Sequence, residues 1–159
     1  MSADAPTRPL PALTPETEFF WTSGADGRLR FLRCSDCYTY VHPPAPVCPS
    51  CSSRAVAPEA VTGRGTVLTF TVNHQPWGIL EPPYVIAIVE LAEQPGLRLT
   101  TNLVGIAPDD VRLHGSPSQA TTPRSGDRQS RRLHSGMAVQ VRFEHDDDVY
   151  LPLFEPVTS

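Results

Sequence analysis

Apolar and polar residues alternate with a period of two through residues 97–104 and 136–144, the pattern of strands with one face buried, and residues 67–72 and 149–154 are strongly β in composition and read as strands too. Residues 84–91 have an almost continuous apolar centre and read as a further strong strand. Turn signals lie between them: Glu93, Gln94, Pro95 and Gly96 in one gap, and Asp146, Asp147 and Asp148 in another. The first three of these strands, joined by turns, predict an antiparallel meander. Nearer the N-terminus, residues 28–34 alternate again, with Leu29 and Phe31 expected inward. Residues 55–60 carry no strand pattern and are expected to be a connection.

One helix start is legible. Thr14 as N-cap, Pro15 at the first helical position and Glu16 in the first turn predict a helix of about two turns carrying Phe19, Phe20 and Trp21. So short a helix must dock, either on its own domain or on a partner. Gly63 and Gly65 precede a strand rather than linking a strand to a helix. They predict a bulge or a barrel corner, not a phosphate-binding loop. Residues 114–134 are rich in Ser, Thr, Gln, Pro and Arg with almost no apolar side chain, which predicts a disordered insert. The organisation expected is a disordered 1–13, a helix and cysteine-bearing lobe over 14–60, and a β-domain over 61–156. Several short strands without a long helix predict a mainly β protein whose larger part is an OB-fold-like antiparallel barrel.

All four cysteines fall in the smaller lobe, as Cys34-x-x-Cys37 and Cys48-x-x-Cys51. The two-residue spacing lets both sulfurs of a tight turn face one point. Two such turns facing each other build the tetrahedral four-thiolate shell that Zn²⁺ takes. Two Cys-x-x-Cys disulfides are the covalent alternative, but such bridges are strained, and a thioredoxin-like motif needs a strand–helix junction. Iron in the same four-sulfur geometry is the alternative metal. His42 lies between the pairs, yet four cysteines at matched spacing leave it no vacancy. A closed shell has no open coordination position, so the expected zinc is structural.

At 159 residues the chain is sized for one domain, or one domain and a small module. Its formal charge is −4 and its pI about 5.7, and four zinc-bound thiolates make the balance more negative still. That argues against affinity resting on phosphate neutralisation, so nucleic acid is disfavoured, although both zinc ribbons and OB-folds serve elsewhere as single-strand binders. Residues 1–11 lack the apolar core of a signal peptide, and residues 84–89 are too few to span a bilayer. With cysteines kept for metal, the expectation is a soluble cytoplasmic chain. Because every cysteine is committed to metal, no nucleophile–base pair is assembled and no catalytic residue is assigned. Phe19, Phe20 and Trp21 are the candidate partner-binding anchors. His74, Trp77 and Tyr84, around the first barrel loop, are the candidates for a ligand-facing edge.

Several motifs in one order carry a family likeness. The aromatic Phe19-Phe20-Trp21 precedes the two cysteine pairs and the Pro43-Pro44-x-Pro46 run between them. Gly63-x-Gly65-Thr66-Val67, Pro83-Tyr84-Val85, Val89-Glu90-Leu91, Thr101-Asn102-Leu103-Val104-Gly105 and Leu151-Pro152-Leu153-Phe154 follow. The chain resembles the DUF35 family, a rubredoxin-like zinc ribbon joined to an OB-fold, over roughly residues 14–156. It departs at the insert and after Cys37, where Tyr38 stands in place of a frequent glycine; this implies a slightly reshaped first knuckle. The resemblance implies a non-catalytic accessory subunit of a thiolase-like enzyme acting on acyl-CoA thioesters, most of all a steroid side-chain aldolase. There the thiolase-like partner carries out retro-aldol cleavage of a steroid side-chain acyl-CoA, and the DUF35 component keeps the complex stable and active. A CoA-binding subunit of an acetyl-CoA acetyltransferase or condensing-enzyme complex is the alternative. The implied partner is a lipid-transfer-protein-type catalytic subunit in a two-plus-two heterotetramer, with contact to acyl-CoA.

Overall fold

The computed structural model describes residues 9–75, 80, 82–106 and 133–157. Its first element is α1 (Glu18–Trp21), followed by a 3₁₀ turn (Ser23–Asp26) that ends at Gly27 with φ +74. The helix is a single turn, shorter than Thr14 and Pro15 suggest. The Thr14 carbonyl accepts the amides of Thr17 at 3.0 Å and Glu18 at 2.8 Å, so residues 14–17 form a turn and the regular helix starts after it. Hydroxyls then satisfy carbonyls at its end: Thr22 donates to Glu18 O and Ser23 to Phe20 O, both at 2.8 Å. One turn is not stable alone, and docking holds it. Phe20, only 3% exposed, lies between Trp21, Phe31 and His42.

Three strands make the smaller sheet, β1 (Arg30–Cys34), β2 (Tyr40–Val41) and β3 (Val56–Ala60), in the order β2-β1-β3 with both pairings antiparallel. β3 occupies residues expected to be a connection. Pro58 cannot donate to a ladder and hides the strand from pattern reading, yet at a sheet edge it is tolerated. β3 pairs with β1 from Arg30↔Ala60 to Cys34↔Val56. β1 is covered on both sides: Leu29 and Phe31 turn inward to the larger core as expected, while Leu32 and Cys34 join Val41 and Cys48 in a second core.

The larger lobe is a closed barrel of β4 (Arg64–Asn73), β5 (Tyr84–Leu91), β6 (Arg98–Leu103), β7 (Ala138–Asp146) and β8 (Val149–Pro156), in the order β4-β5-β6-β8-β7. β4, β5 and β6 are the expected meander. Closure is made at two short seams. β6 meets β8 in parallel through the pair Leu103↔Phe154, reinforced by the Thr101 hydroxyl donating to Pro152 O at 2.7 Å. β4 meets β7 from Arg64↔Gln140 to Thr66↔Ala138, continued at either end by Val141 N–H donating to Gly63 O at 2.8 Å and Val67 N–H to Met137 O at 3.0 Å. The glycines at that corner are needed for close approach, since a Cβ at Gly65 would lie 2.6 Å from Glu90 O. The bulge falls between Val67 and Thr69.

Val67, Val89, Val139 and Phe154 fill the barrel, with Phe31 from the ribbon and Phe20 from α1 in the same cluster. Leu133 also belongs to this core at 3% exposure, so the insert expected over 114–134 ends too late: an apolar residue at the edge of a polar stretch is where packing resumes. Residues 1–8 and 107–132 lie outside the described residues, and with them most of the two stretches, 1–13 and 114–134, where disorder was expected.

Candidate metal centre

Two knuckles with matching backbone bonds build the centre. In the first, Tyr38 N–H donates to Cys34 O at 2.9 Å and Cys34 N–H to Thr39 O at 3.0 Å. In the second, Ser52 N–H donates to Cys48 O at 2.9 Å and Cys48 N–H to Ser53 O at 2.8 Å. Tyr38 and Ser52 occupy the same left-handed conformation, at φ +62 and +61. The first knuckle is therefore not reshaped, contrary to expectation; Tyr38 adopts the backbone that a glycine takes without strain.

The four sulfurs converge, all within 4.8 Å of one another. Cys34 and Cys51 Sγ are 3.6 Å apart, Cys37 and Cys48 Sγ 3.5 Å. A tetrahedral ZnS₄ site with bonds of about 2.3 Å has sulfurs about 3.8 Å apart, so the cluster fits the metal with little adjustment. All four thiols are free of disulfides. Their electrostatics also call for a cation. The Thr39 hydroxyl and backbone hold the Cys37 thiol down at about 6. Cys51 is lowered by the backbone at Ser53, but Cys37, burial, Cys34 and Cys48 together push it up to about 12. Four crowded thiols cannot all ionise cheaply, and a divalent ion at their centre turns that repulsion into attraction. His42 stays outside the cluster, its ring 5.3 Å from Phe20 and 5.0 Å from Phe31. Four protein ligands leave no position for substrate, so the zinc holds structure.

The other candidate residues fall in different places. Phe20 is committed to the chain's own core, which removes it as a surface anchor. Phe19 and Trp21 are only partly buried, and Phe19 packs against both cores. Phe19 also lines a groove of about 280 Å³ with Pro15, Leu32, Pro44, Pro46 and Val56. Trp21 and Phe20 border a smaller pocket of about 160 Å³ over the β6–β8 seam. His74 is exposed and follows Asn73, the register partner of half-buried Tyr84, so these two share one end of the barrel. Trp77 lies outside the described residues.

Sequence reading missed what joins the lobes. The Gln94 side chain clasps the backbone of Tyr40, its Oε1 accepting Tyr40 N–H at 2.8 Å and its Nε2 donating to Tyr40 O at 3.2 Å. Beside it, Glu93 Oε1 accepts both the amide and the hydroxyl of Thr62 at 2.6 Å. In sequence both acceptors read only as turn residues.

Comparison with known proteins agrees with this architecture. Residues 21–57 match the family model described as ChsH2, rubredoxin-like zinc ribbon domain, and residues 58–144 match ChsH2, C-terminal OB-fold domain. The chain is 36% identical over 151 residues to a probable enoyl-CoA hydratase alpha subunit of Thermomonospora curvata, covering 94% of this chain and 40% of that protein. It is 37% identical over 112 residues to the 3-oxo-4,17-pregnadiene-20-carboxyl-CoA hydratase alpha subunit of Mycobacterium tuberculosis, covering 70% of this chain and 35% of that protein. The chain thus spans well under half the length of these two relatives. Among solved structures it matches a chain of the Ltp2-ChsH2(DUF35) aldolase with a TM-score of 0.71 and 34% identity, covering 92% of this chain and 98% of that one. No helix among the described residues is long and apolar enough to cross a membrane. With both lobes matched in chain order around one four-cysteine shell, the chain belongs to the ChsH2 family of DUF35 proteins, a rubredoxin-like zinc ribbon followed by an OB-fold.

Proposed function

We propose that this chain is a non-catalytic accessory subunit of a thiolase-like enzyme, supporting retro-aldol cleavage of a steroid side-chain acyl-CoA by holding the catalytic partner in a stable complex. The observation that carries this reading is the likeness to the DUF35 chain of the Ltp2-ChsH2 aldolase, which covers 98% of that chain at 34% identity. The metal centre supports it from the chemical side. All four cysteines face one point in a closed shell, so the bond-breaking steps fall to the partner. Phe19 and Trp21, part-buried on either side of core-bound Phe20, are the docking anchors from α1. His74 and Tyr84, which share one end of the barrel, are the ligand-facing edge. The assembly is a two-plus-two heterotetramer in the cytoplasm.

A second reading has its own support. Both curated relatives carry the name of hydratase alpha subunits, and this chain matches part of each, so an accessory role in an acyl-CoA hydratase complex follows from the same lobes. One experiment separates the readings. The tagged chain is captured from its own host, the bound proteins are identified by mass spectrometry, and zinc is measured in the same fraction. A thiolase-like protein near equal stoichiometry, with one zinc per chain, supports the aldolase reading. A hydratase-type subunit in its place supports the second. Recovery with nucleic acid or with neither enzyme overturns both.

A further inference from the structure

Tyr38 has a position that its own chain does not explain. The left-handed backbone there is a property of the knuckle, because Ser52 shares it with the same backbone bond to its knuckle's first cysteine. Glycine enters that conformation freely, whereas a side chain with a Cβ is strained, and a bulky aromatic is a costly occupant. Packing within the chain does not offset the strain: Tyr38 is 66% exposed, more than Leu13 at 40% or Val157 at 51%.

The residue is nevertheless tied to Arg33 through its carbonyl, and the same cation flanks its ring. Arg33 Nε donates to Tyr38 O at 3.0 Å, and the guanidinium carbon lies 5.5 Å from the Tyr38 ring centroid and 4.9 Å from that of Tyr40. Arg33 is in turn paired with Glu59 at 2.5 Å, and the Tyr40 hydroxyl lies 3.2 Å from the same carboxylate oxygen. An aromatic with a backbone already tied down and a cation beside its ring has less freedom left to lose when it is covered. Tyr beside Arg is also the composition of interface anchors.

We infer that Tyr38, backed by Arg33 and Tyr40, is an anchor by which the zinc ribbon docks into the thiolase-like catalytic subunit. Glu59 already neutralises Arg33, so the patch offers ring surface and a phenol hydroxyl without net charge. The surface it fits is an uncharged apolar pocket of the partner that ends in a hydrogen-bond acceptor. The inference rests on the accessory-subunit reading and adds the first knuckle to the anchors on α1.

The test uses the zinc-loaded full chain and the purified catalytic subunit recovered in the capture experiment, titrated by calorimetry. Tyr38→Gly is expected to weaken binding by at least about tenfold, as loss of a central aromatic anchor does. The same change leaves the thermal midpoint of the isolated chain where it was, or raises it by roughly 2–4 °C, because the backbone strain is relieved. Tyr38→Phe keeps the ring and weakens binding by only a few-fold, on the order of one lost hydrogen bond. Ser52→Gly relieves the same strain in the other knuckle and leaves binding unchanged. If Tyr38→Gly lowers zinc content, Tyr38→Asn, which also tolerates the left-handed backbone, carries the same expectation. Binding by Tyr38→Gly within about twofold of wild type overturns this inference and leaves the accessory-subunit reading standing. A wild-type chain that binds no thiolase-like subunit takes both down.

Discussion

In the barrel, Val67, Val89, Val139 and Phe154 are wholly buried among apolar neighbours; in the ribbon, the second core holds Leu32, Val41 and two of its own metal ligands, Cys34 and Cys48. Each fully buried aliphatic or aromatic side chain contributes about 1.5–3 kcal/mol. The barrel has many such residues and the ribbon has two, too few to offset the cost of ordering its strands. A structural zinc contributes on the order of 10–16 kcal/mol to a small lobe of this kind, which is why so thin a core suffices there. The separation is not complete, because Phe31 on β1 and Phe20 on α1 belong to the barrel's core. The ribbon therefore depends on metal for its own order while lending two aromatics to its neighbour.

The largest effect expected from that contrast is loss of the metal. Stripping zinc with a chelator, or replacing Cys48 by serine, removes protection from amide exchange across β1, β2 and β3 while the centre of β5 stays protected. Exchange read by mass spectrometry on both forms checks this. Unfolding of barrel and ribbon in one step would show that the two lobes have a single stability, and the contrast would fail. The mirror experiment is Phe154→Ala, a fully buried ring on β8 facing the shared core. It is expected to cost about 3–5 kcal/mol in denaturant unfolding, as large-to-small core changes do, with one zinc per chain retained. Zinc loss in the same variant would mean that the barrel supports the knuckles more than their own sulfurs do.

The contrast also governs what was legible in the sequence. Barrel strands announce themselves because burial of one face imposes a period of two, and the metal site because two-residue spacing is a direct statement of geometry. Elements held by other means carried no such signal. β3 carries Pro58 and pairs only as an edge, and β2 is two residues long, held by Gln94 as much as by its neighbour. Phe19, Phe20 and Trp21 read alike, yet a one-turn helix aims Phe20 into the barrel and leaves its neighbours part-exposed. Burial on a single turn depends on where the helix lands, which no local pattern records. Leu133 was lost for the converse reason, a single apolar residue beside a long polar stretch.

A smaller effect is expected at the clasp between the lobes. Gln94→Ala removes an acceptor from Tyr40 N–H and a donor from Tyr40 O in a half-buried setting. The cost is expected near 1–3 kcal/mol, the range for leaving buried backbone groups without partners. Faster amide exchange confined to Tyr40 and its β1 neighbours, with zinc and barrel protection intact, would locate the joint between lobes at this residue. Exchange rates at Tyr40 equal to wild type would assign the joint to the aromatic packing of Phe20 and Phe31 instead.

The gentlest way to load that joint is through pH. His42 lies against Phe20 and Phe31, its Nδ1 is buried without a hydrogen-bond partner, and burial lowers its pKa from the ordinary 6.5. Between the ordinary value and the lower folded one, the unfolded chain takes up a proton that the folded chain refuses. Stability is therefore full above pH 6.5 and declines as pH falls through the folded pKa, the sign expected for a histidine buried neutral. His42→Phe keeps a ring between the two phenylalanines and removes the titration. In unfolding measured at saturating zinc across mildly acidic pH, the variant is expected to lose the downward slope that wild type shows. Because His42 touches the aromatics that both lobes share, the lost slope should be seen in barrel and ribbon signals together. A slope that survives in the ribbon signal alone would trace it to the thiolates, and the joint would then be insensitive to protonation.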